Sequence, residues 1–150
     1  MGFTINETYN RFSIVIGVCS FLVGSCIYLL FRSTDLLMFQ LFPNGQLPIW
    51  IQSLRNSVSC LNVPEWVRFS FPDGLWLFAY LLIVDGIWRG KHNCTSLFFL
   101  TFLPLTALLT ELLQWFHVIP GIGDWMDFIC YIISILIFLN IKYLHYEKLV

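Results

Sequence analysis

The sequence predicts an all-α polytopic membrane protein: four transmembrane helices and a long outer loop that holds a short interfacial helix. Three observations carry that prediction. Of 150 residues, 58% are hydrophobic and only 11% charged, whereas a soluble domain carries about 25% charged residues. The apolar residues gather in runs close to the roughly 20 that cross a hydrocarbon core of about 30 Å. The charges that remain cluster near the ends of those runs. A net charge of −1 without basic clusters excludes a nucleic-acid-binding surface, and the high apolar content excludes a disordered chain. Residues 1–150 read as a single membrane domain.

The first span, 12–31, has no charge between Arg11 and Arg32. The leader before it carries Glu7 and no basic residue ahead of Arg11, unlike a signal peptide, so the helix is expected to be retained. The second span, 73–88, has an uncharged core, Leu75 to Val84, that is short on its own; extending it brings in Asp85. It is counted because an odd number of spans would put Arg89 and Lys91 on the opposite face from Lys142 and Lys148. The third, 94–116, contains Pro104, where a kink is expected because proline removes a backbone donor. The fourth is 125–144. Arg11, Arg89, Lys91, Lys142 and Lys148, five of the eight basic residues, then share one face. The positive-inside rule makes that face cytoplasmic and places both termini there, in a plasma (inner) membrane.

The outer loop, 33–71, is rich in Trp, Leu and Val and punctuated by Pro43, Pro48 and Pro64. Within it Ile49, Trp50, Leu54 and Val58 fall at helical spacing among polar residues. That pattern fits either a short amphipathic helix in the membrane interface or a cap packed over the bundle. Five cysteines are scattered with no CxxC pair and no metal-ligand spacing, so neither a disulfide framework nor a metal centre is expected. No cofactor signature is present.

The polar residues inside the spans carry the functional signal, since a charge at the middle of a bilayer costs about 2.5–3.5 kcal/mol on insertion scales. With this topology Asp73 opens span two, Glu111 and Gln114 close span three, and Asp124 and Asp127 open span four. All five lie at the outer end. Glu111 and Gln114 share a helical face at i,i+3, as do Asp127 and Tyr131 at i,i+4, and the glycine-bearing turn 117–123 forces spans three and four together. Asp124 is expected to cap span four. Asp85 stands apart at the cytoplasmic end, with Arg89 at i+4 as its expected partner. His117 is a candidate general base, set against the plainer reading of a hydrogen-bonded turn residue.

Three uses of the outer carboxylates follow. They pair with Arg32 or Arg68 and lock the bundle; they bind a lipid head group or other amphiphile; or they hold a divalent cation for chemistry on a lipid-linked phosphate. The last would need a phosphate-binding basic motif, and none is present.

Glu111-Leu112-Leu113-Gln114, then Pro120-Gly121, then Asp124-Trp125-Met126-Asp127 resembles the signature of VanZ-like membrane proteins. That pattern runs Glu-x-x-Gln, a Pro-Gly-Arg turn, Asp-x-x-Asp and an Asn one helical turn on. Asp73 through Tyr80 resembles the family's Asp-Lys…His…Tyr element, and the likeness covers roughly 70–140. The chain departs from it at Gly121 or Ile122 in place of the arginine, at Tyr131 for the Asn, at Gly74 for the lysine and at Leu77 near the histidine. The resemblance adds Tyr80 to the candidate pocket of Asp73, Glu111, Gln114, Asp124, Asp127 and Tyr131. It implies a bacterial cell-envelope protein of the kind linked to glycopeptide-antibiotic tolerance. The expected partners are membrane lipid, a lipid-linked or amphiphilic ligand, and a homo-oligomer or larger membrane complex. The competing expectations are a membrane enzyme acting on a lipid-linked phosphate and a self-assembling structural subunit.

Overall fold

The computed structural model describes residues 2–34, 39, 47–88 and 93–147, with side chains between Tyr9 and His145. The described helices are α1 (Gly2–Phe31), α2 (Ile49–Val58), α3 (Glu65–Phe69), α4 (Phe71–Trp88), α5 (Cys94–Trp115) and α6 (Trp125–Glu147), and no strand occurs among the described residues. Four of them, α1, α4, α5 and α6, are long and apolar enough to cross a membrane. α1 starts earlier and α6 ends later than the apolar runs alone indicate, because polar residues at a span's margin continue the helix into the interface. The basic loop around Arg89 and Lys91, Lys148, Pro43 and much of the 33–48 segment lie outside the described residues.

α4 is the centre of the bundle. Half of its apolar window is buried, against 11–17% for the other three, and it packs on α1, α5 and α6, most extensively on α1. Its modest hydropathy follows from that position, since a helix shielded by its neighbours need not present an all-round greasy surface to lipid. Small residues let the backbones close up, as in membrane bundles generally. A Cβ on Gly86 would stand 2.6 Å from Ile14 Cγ1, and one on Gly74 would stand 2.9 Å from Cys130 Cβ. The core is correspondingly thin: Leu77, Leu81, Leu82 and Val84 of α4 meet Leu100 of α5 and Phe138 of α6. The outward faces of α1, α5 and α6 carry exposed Phe12, Phe21, Phe98, Leu105, Leu136 and Ile137, as a lipid-facing surface requires.

Polar side chains cross each major interface. Ser13 Oγ donates to the Leu82 carbonyl (3.3 Å) between α1 and α4, and Ser134 Oγ donates to the Gly74 carbonyl (2.7 Å) between α6 and α4. At the end nearer the termini, Lys142 Nζ donates to Asp85 Oδ1 at 2.5 Å. Asp85 is 1% exposed and Lys142 27%. Sequence proximity points to Arg89, which is not among the described residues; the fold supplies a partner 57 residues away. Beside this pair the Tyr9 and His145 rings stack at 3.7 Å, joining α1 to α6.

The other end is covered. α2 forms over Ile49–Val58 as its apolar spacing indicates. Ile51 is buried with Phe39 and Leu47 against Tyr28 and Leu29 of α1, while Ile49 and Trp50 remain exposed. Arg55 donates to the Leu29 (2.5 Å) and Arg32 (2.6 Å) carbonyls, satisfying orphan acceptors at the end of α1. α2 is therefore both a cap and an amphipathic surface. α3, a five-residue turn of helix opened by Pro64, was not evident from periodicity, which needs more than one turn to register.

The Asp85–Lys142 pair buries its carboxylate almost completely, so breaking it is costly. Asp85→Ala leaves a half-sheltered ammonium beside an apolar wall and lowers stability by about 3 kcal/mol, while Asp85→Leu combined with Lys142→Met recovers most of the loss. Equilibrium unfolding in mixed micelles measures both; an additive double variant contradicts the coupling.

Candidate functional site

The turn between α5 and α6 builds the acidic end. α5 closes with His117 N donating to the Gln114 carbonyl and Val118 N to that of Leu113 (3.0 and 2.9 Å), the paired bonds of a Schellman motif. His117 occupies the left-handed position, φ 56°, which a histidine tolerates better than branched residues do. It is thus a structural turn residue. Gly121 follows at φ 136°, and the Gln114 carboxamide packs over it so closely that a Cβ would lie 2.5 Å from Nε2. Gln114 therefore serves the turn.

Glu111 Oε2 accepts the Asp124 backbone N–H at 3.1 Å, tying the last turns of α5 to the start of α6. Asp124 Oδ1 accepts the Met126 N–H at 2.8 Å, the expected cap of α6. Both carboxylates thus hold the backbone of the turn while remaining at the surface of the bundle.

Asp73, on the first turn of α4, lies within electrostatic range of Asp127, Arg32 and Glu111. Asp127 is in turn within range of Asp124 and Arg32, and the Tyr131 ring sits among Asp73, Asp127 and Glu111. Carboxylates from α4, α5 and α6 therefore lie within electrostatic range of one another at one end of the bundle. Arg32, at the end of α1, adds a guanidinium whose Cζ is 4.9 Å from the Phe69 ring centre and 5.6 Å from that of Tyr28. No Asp or Glu among the described residues pairs directly with it. Tyr80 is not part of this group: its hydroxyl donates to the Phe99 carbonyl of α5, toward the opposite end.

Sequence reading missed two contributors. Ser70, in the break between α3 and α4, is fully buried. Its hydroxyl lies beside the Asp127 carboxylate, to which it can donate. Glu65, Trp66, Phe69, Ser70, Asp124 and Met126 line a cavity of about 470 Å³. Trp66 also borders a second cavity of about 250 Å³, an apolar groove running between α4 and α6 past Phe71, Phe78, Cys130 and Ile137. No periodicity marks Glu65 or Ser70; only the fold of α3 against α4 brings them to the acidic helix ends. Among the described residues no three His, Cys, Asp or Glu side chains are grouped closely enough to hold a metal ion.

Removing the cap tests the local architecture. Asp124→Ala lowers stability by about 1 kcal/mol and Asp124→Asn restores most of it, read from thermal unfolding in detergent; equal losses for both would contradict a capping role. Compared with known proteins, the chain matches no protein-family model, no curated protein and no solved structure.

Proposed function

We propose that the chain is a VanZ-like integral membrane protein of the bacterial cell envelope, with both termini cytoplasmic, and that its outer acidic pocket binds an amphiphilic ligand. One observation carries the reading: a polar cavity and an apolar groove adjoin at Trp66. A head group requires hydrogen-bonding and charged walls, and a tail requires an apolar channel. Here the two share Trp66 as a wall, the first edged by Glu65 and Asp124, the second floored by α4 and α6. Tryptophan suits the junction because its ring is apolar and its N–H is not.

An alkyl amphiphile bearing a photoactivatable diazirine tests the reading in the purified full-length protein. Adducts are expected on the groove-facing residues of 71–78 and 130–137. Asp127→Asn and Glu111→Gln are expected to lower that labelling about tenfold, the weight of one charge-assisted hydrogen bond, without lowering folded yield. Labelling spread evenly over the outward faces of all four spanning helices would contradict the reading, as would labelling that falls only as the variants unfold.

A further inference from the structure

One carboxamide stands on a helix surface that should carry none. Asn140 lies within the membrane-crossing stretch of α6, Trp125–His145, and is exposed. The 57- and 60-residue offsets that align α4 with α6 put it level with Ile83 and Tyr80, more than a turn inside the end of α4 at Trp88. Five residues of helix, about 7.5 Å, separate it from His145, too far for so short a side chain to reach water. Other polar groups on the outward surface are satisfied at home. Thr101 and Thr110 of α5 donate to the Leu97 and Ala107 carbonyls of their own helix, at 2.9 and 2.8 Å. The Asn140 carboxamide has no hydrogen bond among the described residues. Acyl chains offer it neither donor nor acceptor, so an amide facing them is strongly penalised.

The residues around Asn140 repeat. Met126, Ile129, Ile133, Leu136, Asn140 and Tyr143 succeed one another at alternating spacings of three and four residues, and each is exposed. That is the spacing of a helix–helix seam. The seam runs down the side of α6 opposite Ser134 and Phe138, which are buried in the bundle. An apolar stripe by itself suits lipid as well as protein, but the amide within it suits protein alone.

The chemistry of the amide selects the partner. A carboxamide donates and accepts at once, so a second carboxamide completes it. Copies of one chain cross the membrane in one orientation, so two α6 helices meet in parallel. A two-fold axis along the membrane normal then sets each seam residue against its twin. We propose that α6 is a dimerisation helix: two copies of the chain pack along the Met126–Tyr143 seam, and the paired Asn140 carboxamides fix its register.

The test uses the full-length protein in lipid vesicles, labelled at the amino terminus with donor or acceptor dyes. Energy transfer is followed as the protein is diluted into lipid. Transfer is expected to exceed that of randomly placed copies and to fall reversibly on dilution. Asn140→Leu keeps the seam apolar and faces away from the bundle, so folded yield is expected to hold while association weakens about tenfold, the weight of an interhelical amide pair. Asn140→Gln, which retains the carboxamide, is expected to recover most of the loss. Benzoylphenylalanine in place of Leu136 is expected to give a covalent dimer on illumination. In place of Leu105, on the outward face of α5, it is expected to give none. Transfer no greater than random, an Asn140→Leu chain that associates as tightly as the native one, or equal dimer yields from positions 136 and 105 overturns the proposal.

Discussion

The Asp85–Lys142 ion pair is the contact on which the rest of the bundle depends. A carboxylate 1% exposed among apolar side chains is tolerable only with a partner. Having one, it clamps α4 to α6 near one end. The two helices run parallel, and toward the other end Ser134 bonds to the Gly74 carbonyl. The separations in sequence, 57 and 60 residues, are nearly equal, so α4 and α6 keep one register along their shared length. That register puts Asp73 level with the first turns of α6, where Asp127 and Tyr131 lie. The ion pair and the acidic end thus lie at opposite ends of one α4–α6 register.

Around this pair of helices the remaining elements divide the work. α1 packs tightly on α4 and ends in carbonyls held by Arg55 of α2, so the covering segment is fastened to the bundle it covers. α5 leans more loosely on α4 and α6, leaving an apolar cleft of about 350 Å³ beneath Leu97, Pro104 and Phe138. Its far end is fixed by backbone bonds from the turn and by Glu111. A firm hairpin on a loosely packed helix keeps the carboxylates in place whatever fills the cleft below.

Much of this architecture was legible from periodicity and charge. The first, third and fourth spans announce themselves because lipid on one side demands long apolar runs. α2 is legible because its one buried face repeats over nearly three turns. Asp73, Glu111 and Asp127 are legible as a group because topology fixes which end of its span each carboxylate occupies. What escapes is whatever depends on side chains meeting across distant segments. Lys142 as the partner of Asp85 requires the α4–α6 register. Tyr80, grouped with the pocket by resemblance, instead reaches the Phe99 carbonyl because its position on α4 faces α5. Gln114 has the right spacing from Glu111, but the left-handed backbone at His117 turns the chain so that Gly121 lies under its carboxamide. Glu65 belongs to a turn of helix too short to show a period, and Ser70 to the break that follows it.

The central claim is that carboxylates from separate helices share one site. Through-space carbon–carbon correlations between carboxyl groups, recorded by magic-angle-spinning NMR on the protein in lipid bilayers, address it directly. The account predicts cross-peaks linking Asp73 with Asp127 and Glu111, alongside the Asp85–Lys142 contact. Spectra that retain the ion pair but show Asp73 and Asp127 each surrounded only by acyl-chain signals would contradict it.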